Sequence, residues 1–216
     1  MGSLVDSEKS IGTAIVSTMK SADIAGLSRD YAEIGLDSVL SAGVLRDIPV
    51  VSTLVAIGRV GFSINDQIFA KKLVRFLTSL GSLSAQERES MVDRLEDEEG
   101  FRRQVGDRLI ELLDKIDSYA KPEMLAKAFC AYASGLIDGN MLNRLNNAIE
   151  RIPHYEIAAV RVFHAATPDQ RLTMPATTLG ALANAGLASP NPGWGLQVYE
   201  PNPVCDVFIS IDLDQL

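Results

Sequence analysis

Two cysteines, Cys130 and Cys205, and two histidines, His154 and His164, are the side chains best suited to nucleophilic or general-base chemistry at neutral pH in this chain. Their spacing supports neither role. The cysteines match no metal or redox pattern, and Cys130 falls inside an apolar helical repeat, where a thiol behaves as a small hydrophobe. A reduced pair in a cytoplasmic protein is the expectation, following how disulfides divide between compartments. On one helix the histidines would stand about 15 Å apart, too far to share a metal, and no H-E-x-x-H or cysteine cluster supplies further ligands. A general base also needs a group within hydrogen-bond reach, and neither histidine has a candidate in the sequence.

The remaining motifs carry little more chemistry. No glycine is followed by lysine and no G-x-G-x-x-G occurs, so a phosphate-binding loop is absent. Gly58-Arg59-Val60-Gly61 has the G-x-x-G form of a KH-domain clamp, but Ile57 and Phe62 flank it, which suits a helix bend or a close packing contact. Carboxylates are dense over residues 87–117 and interleave with arginines, the pattern of a solvated face. Asp37, Asp47 and Asp66 lie beside apolar runs; Asp66 is explained as a helix cap or an ion-pair partner. The sequence therefore assigns no catalytic residue, no cofactor and no metal. Lys71, Lys72 and Arg75 form the one basic group, expected on the polar side of a helix and able to touch phosphates or lipid head groups.

Charge and composition narrow the classes further. The net charge of -8 disfavours broad binding to nucleic acid, which needs clustered Lys and Arg. Hydrophobic residues at 47% and charged residues at 22% fit a globular protein large enough for a sizeable core. The first twenty residues lack a basic segment followed by a long apolar one, so no signal peptide is read there.

The elements that would position these groups are mostly helices. Ile11, Ile15 and Met19 predict an amphipathic helix over residues 4–20, and Ser28 caps a second with Tyr31, Ile34 and Leu40 inward. The run 48–62 is nearly uncharged, too apolar for a surface helix and too short to span a bilayer. From Pro49 it continues as a helix to about Leu80, bent near Gly58 and Gly61. Ser84-x-x-Glu87 has capping-box form and opens a charged helix burying Met91, Val92 and Leu95. A stronger helix follows with Phe101, Val105, Leu109, Leu113 and Ile116, its outer face tied by Glu98/Arg102, Glu99/Arg103 and Glu111/Lys115. Pro122 starts another, with Met124, Leu125, Phe129, Tyr132 and Leu136 inward. Asp138-Gly139 turns the chain into a returning helix, completing an αα-hairpin. After Pro153 come helices over 155–166 and 179–187. Alternation at Leu196 and Val198, then at Val207, Ile209, Ile211 and Leu213, predicts two strands joined by the loop 200–203.

The fold class expected is mainly α: a helical bundle domain over 1–150 and a small α+β module over 151–216 ending in a β-hairpin. The helical segment 182–187, Trp194 and the paired strands resemble a winged-helix module. Its candidate recognition helix, 175–187, contains no Lys or Arg, so sequence-specific nucleic-acid binding is not expected. Ile48-Pro49, Phe69-x-Lys71-Lys72, Phe76-Leu77 and Ser84-x-x-Glu87 together resemble a family of uncharacterised bacterial helical proteins. The hairpin over 131–149 is similar to the TerB-like helical fold, in which acidic residues after the turn hold metal. Here Asn140, Asn143 and Asn146 occupy that neighbourhood, which removes the acidic ligands. That likeness implies a bacterial, cytoplasmic, all-helical protein.

Three readings follow. The first is a non-enzymatic interaction or regulatory protein, acting through helical surfaces on a protein partner or on itself as a homo-oligomer. Its candidate contacts are Ile48, Val51, Leu54 and Phe62, the basic group Lys71, Lys72 and Arg75, and Trp194. The second, less favoured, is a conditional membrane effector inserting the apolar hairpin 36–62. The third is an enzyme or nucleotide-binding protein with an unfamiliar pocket around Asp66 and the same basic group.

Overall fold

The computed structural model describes residues 2–21, 24, 50, 53, 64–98, 101, 104–193 and 196–215. Among these residues the chain is mainly helical, with a two-stranded antiparallel sheet near the C-terminus. The second helix expected after Ser28 lies outside the described residues, as does most of the run 48–62. No helix of the described residues is long and apolar enough to cross a membrane.

Helix α1 (Gly2–Lys20) buries Ile11, Ile15 and Met19, one per turn, so a single stripe faces inward. It packs on α3 (Ala85–Asp97) and α4 (Val105–Lys115). The approach to α4 is unusually close. A Cβ on Gly106 would lie 2.0 Å from the Gly12 carbonyl oxygen, and one on Gly12 would lie 2.2 Å from an Asp107 carboxylate oxygen. Only glycine lets the two backbones meet there.

Helix α2 (Ile64–Ser79) buries Phe69, Leu73, Phe76 and Leu77 against α5 (Lys121–Ala133) and continues into a 3₁₀ turn at Leu80–Ser82. Phe129 of α5 sits at the centre of the core. Phe76 and Phe101 meet it edge to face, with ring centroids 5.5 and 5.9 Å away. Phe101 does this from a turn before α4 rather than from the helix itself.

The expected hairpin of helices is present. Gly135 takes a left-handed conformation (φ 76°), and the Leu136 N–H reaches back to the Ala131 carbonyl, a Schellman ending for α5. That ending turns Leu136 outward: it is exposed rather than on the apolar side of the helix. Asp138 then caps α6 (Gly139–Arg151) by accepting from the Met141 N–H.

Beyond Pro153 a 3₁₀ turn (His154–Glu156) leads into α7 (Ile157–Ala165), followed by α8 (Pro168–Leu172) and α9 (Ala176–Asn184). Strands β1 (Ala188–Gly193) and β2 (Leu196–Pro201) pair in register from Ala188↔Pro201 to Gly193↔Leu196. Pro190 and Pro192 stand on alternate residues of β1, opposite Tyr199 and Gln197.

The hairpin is therefore built from 188–201, and the segment expected as its second strand is a helix. Helix α10 (Pro203–Ser210) starts because the Asn202 carboxamide oxygen accepts from the Val204 and Cys205 N–H groups, with Pro203 in the first turn. Val204, Cys205 and Phe208 are the buried set, at helical spacing, while Val207, Ile209 and Ile211 are only partly buried. The alternation of β-branched residues suggested a strand, but it was not the pattern of burial. Asp212 ends α10 in a left-handed conformation (φ 53°), with the Leu213 N–H bonded to the Phe208 carbonyl.

The Gly12–Gly106 contact makes opposite forecasts for two glycine substitutions. Gly106→Ala should destabilise the protein by about 1–3 kcal/mol through overpacking. Gly180→Ala, in α9 with nothing within 4 Å of the new methyl, should stabilise it by about 0.5–1 kcal/mol. Thermal and urea melts of both variants check the sign of each.

Candidate functional site

The basic group expected on a polar helix face is largely turned to internal use. Lys72 is buried, and its Nζ donates to the Ile116 carbonyl at 2.6 Å and to the Asp114 carbonyl at 3.3 Å. Burial pushes its pKa down, while Asp114 and Asp117 act in the opposite direction. Arg75 is half-buried and pairs with Glu123 at 2.6 Å. Lys71 is also partly covered. The exposed basic patch is thus corrected for Lys72, whose charge completes the end of α4. Ile48, Val51, Leu54, Phe62 and Trp194 lie outside the described residues. Within the apolar run, Val50 is fully buried and donates its N–H to the Thr18 hydroxyl at 3.2 Å.

Lys72 is one case of a general device. The last carbonyls of a helix lack partners inside it and carry the negative end of the macrodipole. Arg88, almost wholly buried, donates to the Met19 and Ser21 carbonyls at the end of α1 and to that of Leu83. Arg94 serves the Tyr132 and Ala133 carbonyls of α5, and Lys121 that of Glu150 in α6. Arg171 reaches the Phe163 carbonyl of α7, and Lys127 those of Asp212 and Gln215 beyond α10. Each cation comes from a different helix than the one it closes. Apart from the Leu83 carbonyl, five residues before Arg88, none of these acceptors is visible from local spacing.

The groups with chemical potential are likewise engaged. His164, without a candidate partner in the sequence, lies with Nε2 3.0 Å from an Asp206 carboxylate oxygen, bridging α7 and α10. Cys205 is next to Asp206, but burial pushes its thiol up to about 12. A cysteine nucleophile needs the reverse shift, so this neighbourhood is not that of a thiolate. Cys130 is half-buried with Sγ 3.7 Å from the Ser82 hydroxyl, and burial raises its pKa as well. Both cysteines are free thiols. The Tyr132 hydroxyl donates to Glu98 at 3.1 Å; burial first, and this bond second, push it up to about 12. Arg94 stacks on the same ring, 4.6 Å from its centroid.

Local capping matches the expected box: the Glu87 N–H bonds the Ser84 hydroxyl, and the Ser84 N–H bonds the Glu87 carboxylate. The Ser84 hydroxyl first, and the Ser84 N–H second, hold the Glu87 carboxyl below its usual range. A cleft of about 540 Å³ runs beside this cap, between Ser90, Arg94 and Ala133. A second, of about 390 Å³, lies over the Gly12–Gly106 contact and carries Glu96 and Asp107. Among the described residues no group of three or more His, Cys, Asp or Glu is placed to hold a metal.

What the surface does present is apolar. Helix α7 buries Ile157, Val160 and Phe163 on one side. On the other, Tyr155 just before it is 80% exposed and Val162 is 63% exposed, with Ala158 and Ala165 exposed between and beyond them. Leu172 of α8 is exposed nearby in sequence. Positions 155, 158, 162 and 165 follow the alternating three-and-four spacing of a helix-pairing seam. The sequence placed a helix over 155–166 without assigning its faces, so this stripe was not read from it. The Arg161 guanidinium beside it binds Asp214 and Asp212, an arrangement that raises its pKa further.

Two measurements probe the internal sites. Arg88→Met should cost about 2–4 kcal/mol of stability, because buried carbonyls lose their donor, with Arg88→Lys intermediate; urea melts give both. A thiol reagent at pH 8 should leave Cys205 unmodified in the native protein, label Cys130 slowly, and label both at once in denaturant. Fast native labelling of Cys205 would contradict the burial described.

Comparison with protein-family models, with curated proteins and with solved structures finds no match to this chain.

Proposed function

We propose that this chain is a non-enzymatic interaction protein that works by presenting helical surfaces to another protein or to itself. The observation that carries this reading is the exposed apolar stripe on α7. A helix that buries one face, with Val162 on the other and Tyr155 in the turn before it both in water, invites a contact that removes that surface from solvent. The occupation of the chemical groups supports the same direction. Lys72, Arg88 and Lys121 close helix ends, Cys205 is a buried neutral thiol, and His164 pairs with a carboxylate. With several cations turned inward and a net charge of -8, an anionic polymer or anionic lipid surface is a poor electrostatic match.

The test is capture from the source organism's lysate with the full chain as bait, followed by a mass measurement of what is recovered. Val162→Glu should abolish capture of any specific partner, without lowering the melting temperature by more than a degree or two. Leu136→Glu, at a still more exposed position on the turn after α5, should leave capture intact. Equal recovery with both variants would remove α7 from the reading.

A further inference from the structure

We infer that residues 153–215 form a unit hinged on the link Ile152–Pro153, and that the segment 211–215 latches this unit to the bundle through Lys127. The packing divides the chain in this way. After Pro153, α7 packs on α10 and β2, α8 on β2, and α9 on β1, so these elements mostly cover one another. Toward the earlier helices, the main contact among the described residues is α10 against α6. The covalent joint is short. Helix α6 ends at Arg151, and Ile152 and Pro153 are both extended (ψ 125° and 140°) before the 3₁₀ turn begins. A narrow contact beside a short extended joint is where one part of a chain moves against the rest.

The latch is fastened unequally on its two sides. Within its own unit, the Leu213 N–H bonds the Phe208 carbonyl of α10. The Asp214 side chain is only 4% exposed, and its carboxylate accepts from both Nε and Nη2 of Arg161 in α7. Arg161 Nη2 also reaches an Asp212 carboxylate oxygen at 3.1 Å. Paired bonds from a guanidinium to a covered carboxylate are among the stronger hydrogen bonds a protein makes. On the bundle side, Lys127 Nζ of α5 donates to the Asp212 and Gln215 carbonyls at 2.8 and 2.9 Å, in exposed surroundings. Water competes for such bonds, so each adds little net stability. Release therefore begins at Lys127, and the segment leaves with α7 and α10. Helix α10 is then drawn off α6, an opening of part of the fold with the helices themselves intact.

Trypsin digestion of the full chain under native conditions, followed by mass spectrometry, reads this opening. Arg151 is exposed at the joint, whereas Ile152 beside it is fully buried until the unit swings away. Cleavage after Arg151 should be slow in the native protein and should rise with urea less steeply than global unfolding does. Lys127→Met should speed it about five- to tenfold through the loss of two exposed hydrogen bonds. Lys127→Arg, which keeps the donors, should leave it close to the native rate. Thermal melts check that each variant is folded, and Lys127→Gln repeats the measurement if the methionine variant is not. A cleavage rate at Arg151 indifferent to the loss of the Lys127 donors overturns the inference. So does a urea dependence equal to that of global unfolding, which shows that the unit never opens by itself. A rate independent of urea overturns it as well, because only the joint then frays.

Discussion

Helix ends that run into a protein interior leave carbonyl groups with no partner, and in this fold that need is met by cations borrowed from elsewhere in the chain. Arg88 closes α1 from α3, Lys72 closes α4 from α2, and Lys121 closes α6 from α5. A buried carbonyl without a donor costs more than an ordinary hydrogen bond contributes, so each of these side chains is worth more than its modest net interaction energy suggests. Cationic donors suit the role doubly, because they complement the negative end of the helix dipole as well. Lys72 accepts a depressed pKa in exchange for that position.

The arrangement ties local structure to global structure. An α1 peptide on its own would have no Arg88, and an α10 peptide no Lys127. Most of the helical content thus depends on tertiary assembly rather than on intrinsic propensity, as is usual for helices of this length. The aromatic trio around Phe129 and the Gly12–Gly106 contact set the spacing at which those long side chains can reach their acceptors.

What was legible in the sequence followed from interactions a few residues long. The Ser84–Glu87 box, Asp138 at the start of α6 and Pro122 in the first turn of α5 are all local signals, and each marks the helix it predicted. The burial of Ile11, Ile15 and Met19 follows from periodicity alone. The misses have the opposite character. Lys72 reads as a surface residue because its acceptors lie more than forty residues away, and His164 finds Asp206 at a similar remove. Helix α10 was mistaken for a strand because β-branched residues alternate there, while the deciding features were the Asn202 cap and the helical spacing of Val204, Cys205 and Phe208. The α7 stripe escaped notice because exposure is a property of the fold, and an apolar residue in sequence does not say which side it will face.

The small sheet near the C-terminus has a quieter property. A lone pair of strands normally presents two open borders, each able to template the addition of a further strand from another molecule. Proline at two alternate positions of β1 strips that border of amide hydrogens at both places. Strand addition from this side is therefore closed off by covalent chemistry at the positions of Pro190 and Pro192.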